Sequence, residues 1–352
     1  MTKFRAFAIA AAAAVTAGFS VMPAIAATKV PDSAVLALYD ALSASPEPRD
    51  RVLAAGMTVP RTDDERSERR MTFAFAAAAA PKDPLVQWLA ANAFNGCPKA
   101  PEDSATLRLF RQIEPDNAVS DLLQLNRYAA CGDKIRINAT LEQMARAKRF
   151  DSHFGTTVQA WLAILAGEPT ANALLHPAGT AGGQGEAPLT LAFAFATAEA
   201  EPDFKPLLDA CRDKSNAYAG ACAMIGHTLA YSSKTALDRT VGFELIARSG
   251  KMTAADAAAL RELHWLITPP SDKTHSAVMG RAIATGWRAG DDELLIMRQA
   301  FLDAGLSPTP PANWVDPTGK QPVQGQPGSS QLPHWNAPVG TQSPQPQDNP
   351  KH

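Results

Sequence analysis

Apolar residues recur at intervals of three and four along most of the chain between Val30 and Gly305, as in Leu122, Leu125, Tyr128 and Ala129. That is the period of an amphipathic helix. Short polar breaks divide the pattern into predicted helices over Asp32–Ser43, Asp64–Ala80, Asp83–Phe94, Ser104–Ile113, Asn117–Ala130, Asp133–Lys148 and Ser152–Ala166. The series continues over Pro188–Ala200, Asp203–Arg212, Ala217–Tyr231, Thr235–Arg248, Thr253–Ile267, His275–Arg288 and Asp291–Ala304. Ser104, Thr235 and Thr253 stand where N-caps belong, and Gly132, Gly167, Gly250, Gly290 and Gly305 stand where helices stop. No comparable pattern marks strands or hairpins, so the predicted class is all-α.

Composition supports this class. Aromatic residues make up only 7% of a chain that is 46% hydrophobic, and alanine runs such as Ala76–Ala80 fill the difference. Alanine is the best helix former and lets helices pack closely. Two segments depart from the pattern. Residues 176–186 hold Gly179, Gly182, Gly183 and Gly185 without the Gly-Lys-Ser/Thr ending or the preceding strand of a phosphate loop, and are expected to be a linker. It divides an N-terminal helical region (27–175) from a C-terminal one (187–306). Residues 307–352 are rich in Pro and Gln and are predicted to be disordered. Within them, the Pro311–Trp314 stretch is expected to fold back on the last helix, because a large aromatic gains by burial.

Lys3 and Arg5 precede an apolar stretch from Ala6 to Val21, and Ala24-Ile25-Ala26 forms a small-x-small cleavage pattern. Residues 1–26 are therefore predicted to be a secretory signal peptide, with the mature chain starting at Ala27. The stretch is short of the roughly 20 apolar residues a spanning helix needs, and no later run is long enough, so no transmembrane segment is expected in the mature chain. The predicted location is periplasmic or secreted. In an oxidising compartment Cys97, Cys131, Cys211 and Cys222 are expected to form disulfides, with three possible connectivities. The sequence-local pairs, Cys97 with Cys131 and Cys211 with Cys222, are favoured. The second pair needs a turn, since 11 residues of continuous helix would separate its Cα atoms by roughly 16 Å.

The stretch Glu114-Pro115-Asp116-Asn117-Ala118, followed by Leu122, Tyr128, Gly132-Asp133 and Leu141, resembles a tetratricopeptide repeat. That family places a Pro-x-Asn before its first helix, an aromatic late in it, and a Gly-Asp turn before its second. The likeness covers about one repeat, roughly a tenth of the chain; the 34 residues between Cys97 and Cys131 match the family's period. Asp121 stands where an aromatic is usual, and Leu125, Ile137 and Met144 replace small residues. The resemblance implies antiparallel helix pairs stacked into a solenoid arc, with a concave surface suited to a protein or peptide partner.

Candidate chemistry is sparse. His153, His176, His227, His264 and His275 are scattered, with no H-E-x-x-H pattern, no G-x-S-x-G elbow and no close Cys pair, so no catalytic, cofactor or metal residue is assigned. Asp272, Lys273, Thr274, His275 and Ser276 invite comparison with a triad but also fit a helix start capped by Ser271 or Thr274. Asp63-Asp64-Glu65 with Arg66, Arg69 and Arg70 fits a solvated helix start with a Glu65–Arg69 pair. A net charge of -2 gives no case for nucleic acid. The expected function is that of an exported helical-repeat binding module or scaffold. A cell-envelope hydrolase with a noncontiguous site and a purely structural envelope protein are the alternatives.

Overall fold

The computed structural model of the chain describes residues 32–58, 60, 62–94, 96–97, 101–175, 187–212, 217–268 and 273–316. The predicted signal peptide (1–26), the predicted linker at 176–186 and the tail beyond Asp316 lie outside the described residues. Among those described, all regular elements are helical, as the periodicity predicts. The first half comprises α1 (Asp32–Ser43), α2 (Pro48–Gly56), α3 (Asp63–Ala79), α4 (Pro84–Ala93), α5 (Pro101–Ile113), α6 (Val119–Ala130), α7 (Lys134–Met144) and α8 (Phe154–Gly167). A 3-10 turn at Pro169–Ala171 leads into α9 (Asn172–Leu175). The second half comprises α10 (Ala187–Ala200), α11 (Lys205–Ala210), α12 (Ala219–Ser232), α13 (Ala236–Arg248), α14 (Ala254–Ile267), α15 (Lys273–Ala289) and α16 (Glu293–Asp303).

The caps explain most boundaries. Thr235 and Thr253 accept hydrogen bonds from the backbone N–H three residues on, as expected, and Thr62 does the same in a full capping box with Glu65. Gly132, Gly250 and Gly305 adopt φ of 71°, 70° and 72° and end their helices in the left-handed conformation. Gly167 remains inside α8, and α5 starts three residues before Ser104. Two helices missing from the sequence pattern are α2 and α9. Helix α7 stops at Met144, short of Lys148, because the amides of Lys148 and Arg149 turn to the carbonyl of Asp116 instead.

Consecutive helices pack as pairs joined by short turns: α2 with α3, α4 with α5, α6 with α7, α12 with α13, and α15 with α16. The turns between them are held by contacts that recur at one spacing. Arg49 pairs with Asp83 at 2.5 Å, and the Asn117 side chain exchanges hydrogen bonds with the backbone of Asp151 at 2.9 and 3.0 Å; both links span 34 residues. The Cys97–Cys131 disulfide spans the same 34 residues, with Cα atoms 5.0 Å apart. Cys211 and Cys222 also pair, with Cα atoms 5.8 Å apart, between α11 and α12.

The packing does not describe an open arc whose pairs touch only their sequence neighbours. Helix α10 packs on α8, α4 and α2, α11 on α6, α12 on α7, and α15 on α8. Contacts therefore run from α4 through α5, α6, α7, α12, α13, α14, α16, α15, α8 and α10 back to α4, a closed circuit around one hydrophobic core. The core is continuous across the 176–186 segment, since α10 on its far side is an integral part of the N-terminal packing. Trp314 does fold back, but onto α14 rather than the last helix. Arg261 donates to the carbonyls of Pro311 and Trp314 at 2.7 and 2.8 Å, and the Trp314 ring meets Trp265 edge-on at 5.4 Å.

Candidate functional site

Asn92 and Asn126 occupy corresponding places near the ends of α4 and α6, 34 residues apart. Both point their amides at the same stretch of chain: Asn92 Nδ2 donates to Glu199 O at 2.9 Å and Asn126 Nδ2 to Asp203 O at 2.8 Å. The residues between belong to the end of α10, which closes at Ala200, and to the irregular connection at 201–204 that leads into α11. Side-chain amides on two successive first helices thus hold the last turn of α10 and the connection that follows it.

A cleft of about 670 Å³ lies between α6, α7 and α11. Its apolar surface comes from Ala129, Ala130, Ile137, Pro206 and Ala210, and its polar groups include Asn126, Asn138, Lys134 and Asp209. The two disulfides flank it, since Cys131 precedes Gly132 on one wall and Cys211 follows Ala210 on the other. They fix the ends of α6 and α11 relative to the rest of the fold.

The electrostatics of the cleft are mixed. Lys205 and Arg212 both pair with Asp209. The Lys205 hydrogen bond is the main reason that the Asp209 carboxyl titrates below its ordinary range, with Arg212 adding to it against a modest burial effect. Lys134, the first residue of α7, is exposed at the rim, and the neighbouring Ile135 is 84% exposed. The short alanine side chains let a backbone approach this channel, and the Asn138 amide carries both a donor and an acceptor, whereas Asn126 spends its Nδ2 on Asp203 O and keeps its Oδ1 buried.

A second polar concentration joins the turns before α6, α8, α13 and α16. His153, at φ 53°, places Nε2 3.0 Å from Glu114 Oε2, and Arg149 pairs with the same carboxylate at 3.0 Å. Burial alone would raise the Glu114 pKa, but His153, Asn117 and Arg149 outweigh it and bring it down to about 2. Lys234 bridges Asp151 and Asp291, and Ser152 donates to Asp238 at 3.2 Å. These groups are mutually satisfied and tie successive helix pairs together.

The residues singled out in the sequence fall in different places. The four cysteines form the two sequence-local pairs. Of the Asp272–Ser276 cluster, Asp272 lies outside the described residues, and Lys273 to Ser276 form the start of α15. Thr274 is thus a helical residue and not a cap. In the Asp63–Arg70 run, Arg66 pairs with Asp63 at 2.6 Å and Glu65 serves the capping box, but Arg69 turns inward and donates to Ala55 O at 2.8 Å. The expected Glu65–Arg69 pair is absent among the described contacts because the two side chains face different surroundings. His264 pairs with Asp316, and His227 stacks on Tyr231. Asn92, Asn126 and Asn138 were not legible as site residues, although the 34-residue spacing of the first two was available beside that of the cysteines.

Among the described residues no group of three or more His, Cys, Asp or Glu side chains is placed to hold a metal ion, and no helix is long and apolar enough to cross a membrane. No protein-family model, no curated protein and no solved structure matches the chain.

Proposed function

We propose that the chain is an exported, tetratricopeptide-like helical-repeat protein that binds an extended peptide or protein segment in the cleft between α6, α7 and α11. The observation that carries this reading is the pair of asparagines 34 residues apart that already grip the carbonyls of Glu199 and Asp203. Asn126 and Asp203 also line this cleft, with Asn138 on its wall. Links of 34 residues at Arg49–Asp83, Asn117–Asp151 and Cys97–Cys131 support the repeat reading. The basic N-terminus, apolar stretch and Ala24-Ile25-Ala26 support export, and two disulfides suit an oxidising compartment.

The test compares the mature chain with an Asn138→Trp variant, in which a large ring fills the cleft from a partly exposed position. Each is immobilised and exposed to an envelope extract of the source cell. The expected result is a partner retained by the native chain and lost by the variant, with both proteins melting at the same temperature. Identical captured sets, or none from either, would overturn the assignment to this cleft.

A further inference from the structure

Helix α14 carries Arg261, His264 and Trp265 on one face, at helical spacings of three and four. All three engage the segment that follows α16, and they do so as side chains engage a bound peptide. The Trp265 indole donates to the carbonyl of Ser307 at 2.9 Å. Arg261 Nη2 donates to the carbonyls of Pro311 and Trp314, and its guanidinium lies 5.3 Å from the centroid of the Trp314 ring. His264 Nδ1 pairs with the Asp316 carboxylate. Trp314 stands edge-on to Trp265, which packs in turn on Phe301 of α16 at 5.6 Å.

Residues 307–316 run without regular structure apart from a turn from Pro311 to Trp314, closed by the Trp314 amide on Pro311 O at 3.0 Å. Pro311, Ala312, Asn313 and Val315 are exposed. What α14 reads is therefore a set of main-chain carbonyls, one indole ring and one carboxylate. Most of these are groups that another stretch of chain can supply.

The sequence holds a second stretch of this kind. Trp314-Val315-Asp316-Pro317-Thr318-Gly319-Lys320-Gln321 recurs 21 residues on as Trp335-Asn336-Ala337-Pro338-Val339-Gly340-Thr341-Gln342, with Trp, Pro, Gly and Gln at the same places. Pro333 stands at the second of the four positions that correspond to the Pro311–Trp314 turn, where proline is favoured. The groups gripped by Arg261 and Trp265, an indole and main-chain carbonyls, are common to both copies. The group gripped by His264 is not: Ala337 stands where the first copy has Asp316.

We propose that this face of α14 is a peptide-binding site, separate from the cleft, that takes Trp-x-x-Pro segments, and that the Trp335 segment of the same chain exchanges with Trp314 in it. Reaching from Leu306 to Trp335 instead of Trp314 lengthens the closed loop from about 8 to about 29 residues, which lowers occupancy roughly sevenfold. Loss of the Asp316 contact lowers it further. Trp314 therefore holds the site at rest, and the Trp335 segment fills it when Trp314 leaves. Exchange draws the residues between the two tryptophans into the connection from α16.

The probe is a synthetic peptide of residues 331–342, and the readout is the indole N–H resonance of Trp265 in the mature chain. With Trp314→Ala and Trp335→Ala together, the chain's own tryptophans no longer compete, and the peptide should shift this resonance saturably. A peptide carrying Trp335→Ala should not. A flexible tether presents its ligand at about millimolar effective concentration. Trp314→Ala alone should therefore need about twofold or more peptide than the double variant, because its own Trp335 segment competes, and the native chain severalfold more again. Arg261→Met in the double variant should weaken the peptide by roughly tenfold or more, the usual effect of losing a charged hydrogen-bonding partner. Because that change could disturb folding, the alanine-bearing peptide tests the same site with α14 unaltered. A Trp265 resonance that ignores the peptide, or answers the alanine-bearing peptide equally, would overturn the site. Equal affinities for Trp314→Ala and the double variant would overturn the exchange.

Discussion

Helices α12 and α13 approach each other through two glycines, and this contact sets a sharp test. A Cβ on Gly242 would stand 2.7 Å from Gly226 O and 2.8 Å from the Cα of Ala230; a Cβ on Gly226 would stand 2.8 Å from Gly242 O. The obstructing atoms are backbone, the nearest to a Gly242 Cβ being Ala230 N at 2.3 Å, so no rotamer change can relieve them and the helices must part by roughly 1.2 Å to reach ordinary contact distance of about 3.5 Å. Leu229 on α12 and Leu245 and Ile246 on α13, all buried, would lose contact as they do. Overpacking of this kind costs typically about 1–3 kcal/mol, and an obstruction by backbone belongs at the upper end. The better helix propensity of alanine returns about 1 kcal/mol. Gly242→Ala should therefore destabilise by about 2 kcal/mol, or roughly 4–8 °C in melting temperature for a chain of this size. Gly220, in the first turn of the same α12, has open space where its Cβ would be. Gly220→Ala should leave stability unchanged or raise it by up to about 1 kcal/mol. Thermal melts followed by circular dichroism, with the disulfides intact, decide the matter. A Gly242→Ala protein as stable as the native one would refute the close approach. The double variant Gly226→Ala/Gly242→Ala should cost less than the sum of the singles, because helices already parted accommodate the second methyl.

Two further predictions concern buried charge and the docked segment. Asp238 and Glu293 are pushed up to about 7, chiefly by burial, so each binds a proton in the fold that it lacks in the unfolded chain near neutrality. Their stabilising contribution is complete below pH about 4 and lost by about 7, at up to ~1.4 kcal/mol per pH unit for each proton. Glu114, held down at about 2, acts in the opposite sense and loses its contribution as pH falls from about 4.5 to 2. Melting temperature should therefore peak near pH 4–5 and fall toward 7.5, and Asp238→Asn with Glu293→Gln should flatten that fall; a native profile flat from pH 5 to 7.5 counts against it. Trp314→Ala should lower stability by about 1–2 kcal/mol, since it removes the ring packed on Trp265 and beneath Arg261; an unchanged melt would show that the segment is not docked.

What the sequence reveals here follows the range of the interactions involved. Caps and stops depend on residues within four positions, and Thr235, Thr253, Gly132, Gly250 and Gly305 could be read directly. Helix α2 was hidden because Arg49, Asp50 and Arg51 interrupt its pattern, although Pro48 stands at the first helical position, where proline is at home. Arg69 was misread for the opposite reason. It sits in a charged run, yet Phe73, Ala76 and Ala77 on the same side of α3 are all buried. The cysteine pairs were legible because both are local in sequence and the predicted export signal supplies the redox argument. The Asp151–Lys234–Asp291 bridge spans over a hundred residues, and nothing near any of its members announces the others.

Alanine explains both why the closure escaped sequence reasoning and why the cleft suits a backbone. Helix α10 reads APLTLAFAFATAEA, with alanines around much of its circumference, so periodicity marks no unique inner face. In the fold Leu189, Ala192, Ala196 and Ala200 are buried while Phe193 and Phe195 pack from other sides, the latter stacked on Trp161 at 4.4 Å. A residue with one methyl group is compatible with a core, a helix seam or solvent, and chooses among them only when long-range packing is complete. An open arc and a closed circuit are therefore equally consistent with the local pattern, and α10 decides between them by crossing to α2 and α4. The same short side chains floor the cleft at Ala129, Ala130 and Ala210, where they allow main-chain groups to come within reach of Asn138. A larger residue at those positions would make the helix face easier to assign from sequence and would close the channel to an extended segment. The composition that conceals the tertiary path is thus the composition that the proposed binding mode requires.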